Sequence, residues 1–524
     1  MDTGNFPIHL PATTKLNKTS AKFNTSRHSL GLCRSVVVTC RYAVPNHVTD
    51  VDSIRELLER AVAAVIIQQP MLRVGIADED TEDPKIVQLD AIDLRHVLEL
   101  NDRVYTDDKD YEIRLLESLS FQHDQSWPDP STRPVWKIMV HQVATGGDLS
   151  KATCLDIAFV FHHAICDGQA ALLFHRDLLK VLNSEDDSST TIEKHVLQVE
   201  PQTDCPGPFE SLVPFTLSWL FILKKLWTEL IWKNFAPSYL KPALDPSTLP
   251  WAGKPNTLEP FKTNIRLINI PSSTLDSLLK ACRQHKTTLT PLIHAFVLAS
   301  LSSRLPASEA PTFTTSTPIG LRHMTVPSFD RNQIHCLVTG FNYSFPLATV
   351  ATLRDTISNA KPTERSPVRS TAEESKCDAV IFGAARELGT VLKAKVASLP
   401  ADDEIALLKY VGDTRNFWLS RLGKRKERTW EVSNIGSLKQ PDAGFESESQ
   451  ANRTTGWKIT KSIFTQGALP IGAAFNVNVA GVEGKGNWIT ITWQEGIVDK
   501  SLMENVANDL AYWTHRLEEK TLLD

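Results

Sequence analysis

Residues 153–161 read TCLDIAFVF, an apolar run whose imperfect alternation suits a central strand covered on both faces. Directly behind it stand His162, His163, Asp167 and Gly168, and a helical apolar pattern then runs from about Gln169 to Leu182. Paired histidines beyond a buried strand are costly unless hydrogen-bonded or used, and strand ends are where α/β folds place reactive groups. Gly168 lets the backbone turn tightly, and Asp167 can hold that turn by capping the helix or pairing with an arginine. A strand, a polar turn and a helix in direct succession make this a mixed α/β chain with its chemistry at the turn.

The rest of the chain repeats that mixture. Strands are predicted at 35–42, from Arg73, at 135–143 and at 263–270. Helices are predicted after Asp52 or Ser53 as cap, with Ser53 and Glu56 forming a capping box, at 274–285 and at 291–305. Residues 1–27 read as an irregular arm, and the polar run 184–191 opens a linker. The predicted division is 28–190 and 263–524 as two α/β (α+β layered) domains, joined by a linker over 191–262. Within that linker, residues 212–235 carry Leu220, Leu223, Trp227, Leu230 and Ile231 at helical spacing. Lys224 and Lys225 interrupt the stretch, which is too short to span a bilayer. It is expected to pack on the protein's own core, with peripheral membrane contact as the alternative.

Composition narrows the partners. With 56 basic and 61 acidic residues the net charge is −5, so nucleic-acid binding has no general electrostatic support. The eight cysteines show no C-x-x-C spacing, which suits reduced thiols and a cytoplasmic protein. No Walker, G-x-G-x-x-G, G-x-S-x-G or H-E-x-x-H pattern occurs. One local exception to the neutral balance matters. Arg421, Lys424, Arg425, Lys426 and Arg428 place five cations within eight residues, a cluster suited to the phosphates of a small anionic cofactor.

The H-H-x-x-x-D-G pattern at His162–Gly168 resembles that of chloramphenicol acetyltransferase, of peptide-synthetase condensation domains and, most closely, of fungal alcohol acetyltransferases. Further stretches fit in order: Pro70-Met71-Leu72-Arg73, Thr287-Thr288-Leu289-Thr290, Pro318-Ile319-Gly320-Leu321-Arg322 and Val432-Ser433-Asn434-Ile435-Gly436. The plant branch's D-F-G-W-G segment is missing, which leaves the fungal branch. The resemblance spans about residues 30 to 515. It implies two chloramphenicol-acetyltransferase-like domains with a central tunnel at their interface.

It also implies roles. His163 would be the general base that takes the acceptor's proton as its oxygen attacks a thioester, in a ternary complex without acyl-enzyme. His162 and Asp167 are expected to be architectural, with Arg73 or Arg322 as the ion-pair partner of Asp167. Ser433 and Asn434 are candidate oxyanion donors. The expected function is transfer of an acetyl or other short acyl group from acetyl-CoA to a hydroxyl of a hydrophobic secondary metabolite, by a monomer that needs no metal. An amine acceptor or a carrier-bound donor would use the same histidine. A Cys166 nucleophile, a metal hydrolase using His162, His163 and Asp167, and a non-catalytic binding protein are the competing classes.

Overall fold

The computed structural model describes residues 20–45, 51–105, 108–143, 153–184, 192–200, 205–227, 249–359, 371–440 and 456–523. In the first half these form α1 (Ser20–Ser29), β1 (Val36–Ala43), α2 (Val51–Gln68), β2 (Leu98–Tyr105), β3 (Trp136–Val143), β4 (Cys154–Phe161), α3 (Gly168–Leu182) and α4 (Trp219–Leu226). Then come β5 (Thr263–Pro271), α5 (Leu289–Arg304), β6 (Thr312–Gly320), β7 (Val338–Ser344), α6 (Thr371–Ser398) and α7 (Thr414–Leu419). The chain continues through β8 (Arg428–Leu438), β9 (Lys458–Gln466), β10 (Ala473–Val482), β11 (Gly486–Gln494) and α8 (Lys500–Leu523). Three further helices, Asp108–His123, Ser272–Gln284 and Leu347–Asn359, and shorter elements connect them.

Two sheets organise the molecule. The first runs β9-β1-β4-β3-β2, so the strand that carries the paired histidines lies in the middle. Its neighbours are antiparallel, with Phe161 opposite Val36 on one side and Trp136 on the other. All of β4 beyond Cys154 is buried, as expected of a strand covered on both faces. Phe159 stacks on Phe174 of α3 with centroids 4.1 Å apart, a pair worth about 1 kcal/mol beyond its area burial. The second sheet has β6-β8-β10-β11-β5 in order, with β7 along β6 and the short strand Pro250–Trp251 at the far edge of β6. Trp430, Phe313, Phe345 and Phe475 pack at its centre.

One strand crosses between the halves. β9 pairs antiparallel with β1, Val36 opposite Gln466, so the first sheet is completed by a segment near the C-terminal end. Ile435, Ile463 and Phe464 accordingly belong to the core built around β4. This crossing brings β8 up against the start of α3.

Three local expectations change. Helix α2 begins at Val51, so Asp52 and Ser53 lie in its first turn instead of capping it. Residues 20–27, expected to be irregular, lie in helix α1, and residues 1–19 lie outside the described chain. Intrinsic propensity does not explain that helix; tertiary contact does. Phe23 is buried edge-on against Phe417 and Trp418, and Ser26 Oγ meets Thr414 Oγ1 at 2.8 Å.

The third change concerns α4. It was expected on the core, yet none of its residues is buried, and Trp219, Leu220 and Leu223 are 80%, 78% and 60% exposed. Its anchorage is polar. Ser218 donates from N and Oγ to the Asp402 carboxylate at 2.6 and 2.8 Å, and Lys225 pairs with Glu404. The helix is therefore held by polar contacts, with Phe221 and Ile222 half-buried and Trp219, Leu220, Leu223 and Leu226 left facing water. Leu230 and Ile231 lie outside the described residues.

Candidate active site

The site begins where β4 runs out. The His162 amide still donates to Val135 O at 2.9 Å, after which the chain turns through Ala164 and Ile165 into α3. Asp167 caps that helix, its Oδ1 accepting from Ala170 N at 2.8 Å. A Cβ on Gly168 would stand 2.4 Å from Ile435 Cγ2 of β8, so the close approach of β8 requires glycine here. The turn is thus clamped between the two halves of the molecule.

His163 Nδ1 lies 2.9 Å from Cys166 O. A carbonyl can only accept, so Nδ1 carries the proton and Nε2 keeps its lone pair. Among the described residues nothing hydrogen-bonds Nε2, and the residue lines a cavity of about 230 Å³. Helix α1 grips the backbone from behind: the His163 amide donates to His28 Nε2 at 3.1 Å, and Asn24 Nδ2 donates to His163 O at 3.2 Å. Burial, then the nearby Arg27 cation, holds the imidazole below its ordinary pKa. The neutral form therefore persists to lower pH than for a free histidine. A pH profile of kcat/KM should be flat through neutrality and fall only on the acid side, with its midpoint below about 6.5. Arg27→Met removes one depressing charge and should move that midpoint up.

His162 faces the opposite way. Its Nδ1 accepts from Ala164 N at 3.0 Å, so Nε2 bears the proton and donates to Glu79 Oε1 at 2.8 Å. The ring is fully buried and stacked on His28 with centroids 3.5 Å apart. Asp167 also turns from His163: its Oδ2 accepts from Leu337 N at 2.8 Å. Arg322 lies 4.0 Å from Asp167 Oδ1 and donates to the carbonyls of Arg331, Gln333 and His335, tying that loop to the cap. Arg73 is buried elsewhere, beside Cys205, where burial pushes the thiol up and the arginine pulls it back. Cys166 is buried too, its thiol pushed well above the ordinary range by burial, and its Sγ donates to Asp167 O.

Strand β8 forms another wall. Ser433 and Asn434 both line the cavity with His163. The Asn434 amide is committed, its Nδ2 donating to Thr290 Oγ1 at 3.0 Å and its Oδ1 accepting from Gly436 N at 2.9 Å. No side-chain hydrogen bond holds the Ser433 hydroxyl among the described residues, so it is the donor still available.

The basic cluster divides. Lys426 is 2% exposed and donates to Leu469 O and Pro470 O at 2.8 and 3.0 Å, with burial and then Arg428 lowering its pKa to about 7. Arg421 lies over the Phe417 ring at 3.6 Å. Lys424 and Arg425 are exposed. Only Arg428 of the five lines the cavity, and its buried Nε has no hydrogen-bond partner. Arg27, Trp418, Glu431 and Gln466 also line it and were not anticipated. Nor were His28 and Glu79, which lie behind the paired histidines. Glu431 directly precedes the Val432–Gly436 motif, yet no spacing in the sequence marks it or the others. Among the described residues no group of three or more His, Cys, Asp or Glu is placed to hold a metal ion.

This architecture is that of the chloramphenicol-acetyltransferase-like and condensation-domain acyltransferases. The trichothecene 15-O-acetyltransferase TRI3 of Fusarium sporotrichioides superposes with a TM-score of 0.67 at 12% identity, over 96% of this chain and 94% of that one. The first condensation domain of the calcium-dependent antibiotic synthetase gives 0.54 at 11% identity, over 97% of both chains. A sequence model of the alcohol acetyltransferase family matches residues 38–355, and the chain belongs to that family. It is 29% identical over 495 residues to the probable alcohol acetyltransferase FCK4 of Fusarium pseudograminearum, covering 93% of this chain and 92% of the relative. It is 23% identical over 496 residues to the probable alcohol acetyltransferase crmB of Aspergillus fumigatus, covering 91% and 94%. The protein is an acyltransferase that acts on an alcohol.

Proposed function

We propose that the protein transfers an acetyl or other short acyl group from coenzyme A to a hydroxyl of an apolar small molecule, with His163 as general base. The observation that carries this reading is the His163 tautomer: Nδ1–H is spent on Cys166 O, which leaves the Nε2 lone pair without a partner among the described residues, on a residue that lines a cavity walled by both halves. His163 takes the proton of the acceptor hydroxyl as its oxygen attacks the thioester carbonyl, and returns that proton to the departing thiolate. Ser433 donates to the oxyanion. Both substrates are held together, which removes the need for a covalent acyl-enzyme.

Arg428, with the exposed Lys424 and Arg425, is assigned to the phosphates of coenzyme A. Arg428 and Ser433 lie five residues apart on β8, roughly 16 Å along an extended strand. That spacing suits an extended pantetheine arm with its thioester at Ser433. Lys426 is left out, since its ammonium already serves two carbonyls.

The test is acceptor-dependent release of free thiol from acetyl-CoA across a panel of apolar alcohols and hydroxy acids. Absence of release throughout the panel overturns the reading. The same reading has the protein cytoplasmic and active as a monomer. The outward apolar residues of α4 support peripheral contact with a membrane surface. Wild-type protein should float with lipid vesicles and W219D/L223D should not; equal behaviour of the two overturns that contact.

A further inference from the structure

Arg27 is the cavity residue with the least evident purpose. It sits on α1 with its guanidinium carbon 5.3 Å from the centre of the Trp418 ring. Its Nε is buried without a hydrogen-bond partner, and among the described residues no carboxylate pairs with it. The residue is half-buried, and a guanidinium partly withdrawn from water without an anion carries a cost that a ligand's anion recovers. Trp418 offers only a ring face, so the forked N–H donors remain for the ligand.

The cavity's own carboxylates are occupied. Glu431 accepts from Ser316 Oγ at 2.8 Å and Gln466 Nε2 at 3.4 Å, and Asp167 caps α3 and holds Leu337 N. The phosphates of coenzyme A are badly placed for Arg27. With the thioester at His163 they lie at the far end of the pantetheine arm, whereas Arg27 lines the same cavity as His163 and adjoins His28, which accepts the His163 amide. A developing oxyanion would be common to every acceptor and already has Ser433. What remains is an anion that arrives on the acceptor itself. Val36, Ile435, Phe464 and Leu469 line the same space and suit an apolar body.

Resting on the acyl-transfer reading above, we propose that Arg27 is a specificity residue that binds a carboxylate on the acceptor, so that the alcohol is a hydroxy acid with an apolar body. A carboxylate presents two oxygens to the guanidinium fork and forms charge-assisted hydrogen bonds that its ester cannot reproduce.

The experiment compares kcat/KM for mandelate, tropate and terminal hydroxyalkanoates, each against its own methyl ester. The acid-to-ester ratio cancels whatever Arg27 does to chemistry common to both. Wild type should prefer at least one acid, and R27M should lower that ratio roughly 10- to 100-fold. R27K should keep part of the preference, because lysine retains the charge without the fork. A ratio unchanged in R27M overturns the proposal, as does an equal loss on acid and ester, which would make Arg27 an oxyanion group. A rise in KM for acetyl-CoA but not for acetyl-pantetheine overturns it too, by assigning the anion to coenzyme A. Should R27M fail to fold, calorimetry on wild type without acyl donor decides: tighter, salt-sensitive binding of the acid supports the proposal, and equal binding of acid and ester overturns it. That arm needs no turnover. If acids bind but nothing is acylated, the reaction assignment falls and the anion site stands.

Discussion

His163→Ala should lower kcat by about a hundred- to ten-thousand-fold while leaving the fold intact. The side chain contributes a hydrogen bond from Nδ1 to Cys166 O, whose net worth is about 1 kcal/mol, and a longer contact of the same atom with Cys336 Sγ at 3.7 Å. The hydrogen bonds that tie this position to α1 belong to its backbone: the amide to His28 and the carbonyl to Asn24. Alanine keeps both. Initial rates with acetyl-CoA and a productive acceptor, beside a thermal melt of the same sample, separate chemistry from stability. Activity near wild type would remove His163 from the role of base. By contrast, His162→Ala should act mainly on the melt, since His162 is buried against His28 and Glu79 and faces away from the cavity.

Asp167→Ala should cost about 2–4 kcal/mol of stability, because one carboxylate carries two separate tasks. Its Oδ1 caps α3 and its Oδ2 holds the Leu337 amide, which is buried. Loss of the cap costs about 1 kcal/mol, and the orphaned buried amide about 1–3 more. Arg322 would also lose the carboxylate it faces at 4.0 Å. Asp167→Asn keeps one acceptor oxygen and turns an NH2 toward the other donor, so it should fall between wild type and alanine. Urea denaturation followed by kcat per folded molecule gives the comparison. A charge-relay role would produce the opposite pattern, with Asp167→Asn folding normally and failing in turnover. The geometry opposes that role, since the partner of His163 Nδ1 is the Cys166 carbonyl.

How much of this was legible in the sequence varies with the kind of contact. Strand β4, the turn after it and helix α3 were readable because their signals are local: an apolar run, a cap residue and a helical period within thirty residues. Their boundaries fell within one residue of expectation. Helix α4 was also found locally, but its orientation was not, because periodicity identifies an apolar face without saying what covers it. The basic cluster shows the same limit at the level of single residues. Five cations within eight residues look alike as a string, yet Lys426 points at two carbonyls, Arg421 lies on a ring and Arg428 lines the cavity. The choice between Arg73 and Arg322 beside Asp167 depended on which loop folds over α3. Ser433 and Asn434, adjacent and similar in chemistry, differ because Thr290 takes up the asparagine amide.

By itself the sequence determined the mixed α/β class, the strand–turn–helix unit that presents His163, and the ordered motifs that resemble the family to which the chain belongs. Each follows from interactions between residues close along the chain. Tertiary structure alone decided that β9 completes the first sheet, that α1 grips His163 through His28 and Asn24, and that Arg27 stands in the cavity beside Trp418 with no carboxylate pairing it among the described residues. Those contacts join residues more than a hundred positions apart. Their side chains meet only after both sheets have packed, so the energy that selects them belongs to the assembled core.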